Sequence, residues 1–170
     1  MHATFLPEIK TILNVQYGDR MSTEMRLNNL FFPARIEIGE MKLSAGQAKL
    51  PDKDEFRMSG VINNMDQYGW REVMQQHYNK YHKLRTRPIV DVPVIIDVAY
   101  VNVPCDKTKA KPRKRYTSPV IMPAFKGQIK RFVFAGKEFG KLEFDSRRDN
   151  LGLAFDKIRL TSPHMEYNAK

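Results

Sequence analysis

The chain has 170 residues, 42% of them apolar and 28% charged, the profile of a folded domain long enough to bury a core. One cysteine rules out an internal disulfide and a thiolate zinc site within one chain, and no run approaches the roughly 20 apolar residues of a membrane-crossing helix. The formal charge of +10 is too large to be incidental and points to an acidic partner.

Glu8 and Lys10 interrupt the first apolar stretch, against a signal peptide, so the expected setting is the cytoplasm, or the nucleus of a eukaryotic cell. Thr4 to Gln16 places Leu6, Ile9 and Leu13 on one helical face and predicts a short N-terminal helix. Ala34 to Leu43 reads as a strand in which Ile36 and Ile38 alternate in one phase and Met41 and Leu43 in the other. Gly39 marks the change, as at a β-bulge. Residues 44–64 read mostly as loop.

From Asp66 to Leu84, Trp70, Val73, Met74, His77, Tyr81 and Leu84 recur at spacings of three and four and predict one long amphipathic helix. Pro88 stops it. The period then changes to two: Val90, Val92, Val94, Ile96, Val98 and Tyr100 line one face of a long strand over 89–103, and Cys105 is expected as an inert buried thiol at its end. A basic loop follows over about 106–118. Strands are predicted over Gln128 to Phe134, Phe139 to Phe144 and Leu151 to Leu160, with a frayed polar tail after Pro163. The fold class that follows is α+β, a mostly antiparallel sheet with one long helix, in a single domain over 1–170.

The charge is unevenly placed. Residues 101–150 hold 13 basic and 5 acidic side chains, so +8 of the +10 falls in fifty residues. Between Lys107 and Arg131 stand Lys107, Lys109, Lys111, Arg113, Lys114, Arg115, Lys126, Lys130 and Arg131, without one carboxylate. Clustered cations gain affinity for phosphates through counterion release, and a neighbouring carboxylate would oppose it. Tyr116 and Phe125 add aromatic faces on which bases stack, while Arg85 and Arg87 form a second basic group after the helix. The expected partner is therefore nucleic acid, single-stranded in preference to duplex. A membrane partner is not expected, because the segment is not amphipathic. Lys111–Pro112–Arg113–Lys114–Arg115 can also be read as a nuclear import signal.

A reaction centre is harder to find. His77 and His82 are five apart, not the four of a zinc-binding HExxH helix, and neither glycine-rich phosphate loop occurs. No cofactor or metal site is expected. Glu143 and Asp145 share one face of a strand, with Asp149 in the next turn, the raw material of a metal-dependent nuclease.

Two stretches carry resemblances. Tyr68–Gly69–Trp70–Arg71–Glu72, followed by the strand Val94 to Val103, resembles the RusA-type Holliday junction resolvases of phages. That family's metal segment is a carboxylate signature, whereas the alignable stretch Pro123 to Lys130 has none, and Asp149–Asn150 comes some twenty residues later. The resemblance implies binding more than cleavage. Leu151 to Leu160 is similar to the last strand of filamentous-phage single-stranded DNA-binding proteins. Together these readings favour a non-enzymatic nucleic-acid binder. Behind it stand a nuclease using Glu143, Asp145 and Asp149, and a structural subunit of a virion or ribonucleoprotein.

Overall fold

A computed structural model describes residues 10–28, 35–66, 90, 92–105, 123–149 and 152–169. These residues form one sheet of nine strands in sequence order: β1 (Lys10–Tyr17), β2 (Met21–Asn28), β3 (Arg35–Leu43), β4 (Phe56–Ile62), β5 (Val94–Val103), β6 (Phe125–Phe134), β7 (Lys137–Asp149), β8 (Gly152–Ser162) and β9 (Met165–Ala169). No helix lies among them, so the α+β expectation is overturned in favour of a mixed sheet. The predicted N-terminal helix is strand β1 from Lys10 onward, paired along its length with β2. Thr11, Ile12 and Val15 are β-branched and suit the strand. The predicted helix over 66–84 falls, apart from Asp66, outside the described residues.

The three central junctions are parallel: β3 with β4, β4 with β5, and β5 with β6. Antiparallel ladders flank them on both sides. Parallel neighbours need a crossover rather than a tight turn. The described crossover is 44–55, and it lies against the sheet. Ser22 Oγ donates to Gly46 O at 2.9 Å and accepts from Ala48 N at 2.8 Å, and Lys49 N donates to Glu40 Oε2 at 2.9 Å.

The hairpin between β6 and β7 forms on Ala135–Gly136, with φ of +52° and +76°. Two consecutive positive values are those of a type I′ turn, whose twist matches that of the strands it joins. The tail expected to fray instead supplies β9, paired with β8 from Ser162 to Ile158. Cys105, expected buried, is exposed.

Bulges decide which side chains share a face. In β3 the extra residue is Glu37, not Gly39, since Arg26 pairs with Ile38 and Leu27 with Ile36. In β5 the ladder with β4 skips Ala99. The predicted uninterrupted face therefore breaks there: Val101 and Val103 join Val98 in the core, while Tyr100 lies beneath the Arg131 guanidinium, 5.5 Å from its ring centre. At the bulge opposite, Gly60 has φ of +117°, and a Cβ would stand 2.7 Å from the Leu43 backbone. Only glycine fits there.

Candidate functional site: an apolar face and a basic-rimmed cleft

Residues paired across a ladder share a face, so the register traces two rows across the sheet. One row is apolar. It starts at Leu13 and Val15 of β1 and continues through Met25 and Thr23, then Gly39 and Met41. Phe56, Met58 and Gly60 pair with Gly39, Met41 and Leu43, and next come Val94, Ile96 and Val98. Phe125, Gly127 and Ile129 follow, then Phe144 and Leu142, Ile158 and Leu160, and finally Ala169 and Tyr167. Val98, only 1% exposed, is its centre, with Val101, Val103, Ile129 and Phe132 around it.

The other row is polar. Asn14 and Gln16 lead to Glu24 and Ser22, Glu40 and Lys42, Arg57 and Ser59. Ile95 and Asp97, Lys126 and Gln128, Asp145 and Glu143, Lys157 and Arg159 complete it. Crossover 44–55 packs on this side, where Ile38 and Ala48 are buried.

The two rows meet at a cleft of about 690 Å³ where β5 and β6 begin. Val90, Val92, Val94, Pro123, Ala124 and Phe125 give it apolar walls, and among the described residues Arg35, Lys126, Arg148 and Asp145 are its charged lining. Its frame is held by Ser146, a buried residue whose Oγ donates to Phe125 O at 2.8 Å and accepts from Phe125 N at 2.9 Å. That hydroxyl supplies both backbone partners where the β6–β7 ladder, which ends at Lys126–Asp145, gives none.

The residues expected to grip nucleic acid fall in three places. Lys107, Lys109, Lys111, Arg113, Lys114, Arg115 and Tyr116 lie outside the described residues, as do Arg85 and Arg87. Phe125 stands on the apolar row and packs edge-on against Phe144 at 5.7 Å and Phe155 at 5.8 Å. Lys126, Lys130 and Arg131 are exposed, and each faces a carboxylate: Asp145 at 3.8 Å, Asp97 at 3.7 Å and Glu138 at 2.8 Å. The hydrogen bond between Arg131 and Glu138 raises the pKa of the guanidinium and lowers that of the carboxyl. Such exposed pairs contribute little stability, so an incoming anion can replace the carboxylate.

Glu143 and Asp145 do share the polar face, but cations interleave with them. Glu143 accepts a hydrogen bond from Lys141 at 3.1 Å; this, with the charges of Lys157 and Arg159, holds its carboxyl below the usual range. Asp145 faces Lys126. Among the described residues no three acidic, histidine or cysteine side chains converge as a metal site. Arg35, Ser146 and Arg148 had no signal in the sequence, because the cleft joins the start of β3 to the end of β7, over a hundred residues apart.

No protein family, curated protein or solved structure matches this chain. No helix among the described residues is long and apolar enough to cross a membrane.

Proposed function

We propose that this chain is a binding protein whose cleft takes an amphipathic anion, with a hydrocarbon body and a carboxylate or phosphate at one end. The observation that carries this reading is the cleft itself, where apolar walls of Val90, Val92, Pro123, Ala124 and Phe125 stand beside the exposed ammonium of Lys126. A hydrocarbon body held between those walls gains about 25 cal/mol per Å² removed from water. The anionic end is oriented by Lys126, whose pairing with Asp145 at 3.8 Å is weak enough to exchange.

Calorimetric titration with a long-chain fatty acid, its methyl ester and acetate tests this. The acid binds saturably, the ester binds about tenfold more weakly for a loss of roughly 1.4 kcal/mol, and acetate does not bind. Lys126→Glu lowers affinity for the acid and leaves the ester unchanged. Absence of saturable binding by the acid, or equal binding of acid and acetate, overturns the reading.

A second reading, single-stranded nucleic acid, is favoured by where the charge sits. The described residues hold 17 basic and 15 acidic side chains, a net +2, so +8 of the total +10 belongs to the remainder. The basic segment re-enters the described chain at Pro123, a wall of the cleft. Neutralising Lys111, Arg113, Lys114 and Arg115 together should flatten the salt dependence of binding by up to about 0.7 per lost single-strand phosphate contact. An unchanged slope removes this reading and leaves the first untouched.

A further inference from the structure

We propose that the outer edge of β1 is a self-pairing surface through which two copies of this chain join their sheets about a two-fold axis. Among the described residues strand β1 ends the sheet, with β2 on one side and no strand on the other. Its side chains are apolar on both faces yet stand in water: Ile12 is 55% exposed, Leu13 41%, Val15 42% and Tyr17 66%. Edge strands of monomeric proteins are guarded by charges, prolines or bulges, because their free backbone groups are a template for another strand. From Thr11 to Gln16 there is no charge and no proline, and the β1–β2 register runs without a shift.

The sequence of β1 is also self-complementary. Antiparallel partners share a face, so two copies must pair residues of the same parity. Pairing about Asn14 sets Thr11 opposite Tyr17, Ile12 opposite Gln16 and Leu13 opposite Val15. Every residue from Thr11 to Tyr17 then finds a partner, and Leu13, Val15 and Tyr17 of both copies extend one apolar row. The pairing works whichever alternate set of backbone groups points outward, since both sets map onto themselves. The other edge, β9, has only five residues and carries Glu166, which accepts from Arg159 at 2.7 Å. A contact between β1 and β9 would be head-to-tail and would grow into a filament, whereas β1 with β1 closes at two.

Sedimentation velocity over a broad concentration range, with charge-swapped variants, decides the matter. The wild-type chain should pass from one to two copies as concentration rises, and no further. Leu13→Lys with Val15→Lys should be monomeric, as should Leu13→Glu with Val15→Glu, both still folded by circular dichroism because these positions are 41% and 42% exposed at the sheet edge. An equimolar mixture of the two variants should restore the dimer, since Lys at 13 then faces Glu at 15 of the other copy. In a Cys105→Ser background, Asn14→Cys should cross-link copies under mild oxidation. A wild type that stays monomeric, growth beyond two copies, or variants that still dimerise each overturn the proposal.

Discussion

The two faces of the sheet have nearly the same backbone and opposite chemistry. On the apolar row, neighbours across nine strands are mostly Val, Ile, Leu, Met and Phe, and burial is deepest at the centre, around Val98. On the polar row charges of opposite sign are neighbours: Lys126 and Asp145 across a ladder, Arg159 and Glu166 on the diagonal of one, and Lys141 and Glu143 along β7. The first face derives its stability from area removed from water, the second, away from the crossover that covers Ile38 and Ala48, from weak exposed pairs. That division also separates mutations by size.

The largest expected effect is at the centre of the apolar row. Val98→Asp places an unpaired carboxylate where the side chain is 1% exposed, and a loss of about 3–5 kcal/mol, or failure to fold, is expected. Gln16→Glu, on the polar row of exposed β1, should stay within about 0.5 kcal/mol of wild type. Denaturant titrations of the two proteins measure the contrast, and similar losses would mean the faces are not distinct.

A smaller effect, of opposite sign, is expected at Thr23. It sits on the apolar row between Val15 and Met41, is 3% exposed, and its Oγ1 has no hydrogen-bond partner. Burying a hydroxyl without a partner costs roughly 1–3 kcal/mol, and valine has nearly the same shape without it. Thr23→Val should raise stability by about 1 kcal/mol, read as a higher denaturant midpoint with an unchanged slope. A destabilised variant would place a bond to that hydroxyl.

How much of this was legible in the sequence follows from the same two faces. Strands with one face in and one face out show their period, so the stretches around β5 to β8 were readable from Val94, Ile96 and Val98 or from Leu142 and Phe144. Strand β1 was not. Ile12 and Leu13 are adjacent and both exposed, which erases the period of two and leaves Leu6, Ile9 and Leu13 to suggest a helix. Parallel pairing was hidden because the partners of β5 lie beyond long crossovers, and Glu37 and Ala99 shift the phase with no marker residue. The cleft was half legible. Phe125 and Lys126 stood out by composition, but Arg35 and Arg148 reach it only through the sheet.

The smallest expected effect is the most specific test of the polar face. Glu143 is hydrogen-bonded by Lys141 and lies near Lys157 and Arg159, so its carboxyl titrates below its ordinary value of 4.5. A carboxylate whose pKa is depressed on folding contributes stability that is fully present above the unfolded value and is lost as pH falls through the folded one. The pair is partly exposed, with 27% of the Glu143 side chain accessible, so the contribution is that of a surface pair, about 0.2–1 kcal/mol. Glu143→Gln should therefore cost a few tenths of a kcal/mol near pH 7, and the difference from wild type should shrink below about pH 4.5 and vanish at lower pH. High salt should shrink it as well, since the interaction is screened. If Glu143 instead belonged to a cluster of carboxylates awaiting a metal ion, the sign would reverse: removing one negative charge would stabilise the metal-free protein at pH 7. A stabilised Glu143→Gln would thus replace the charge-matched polar face described above with a metal-binding one.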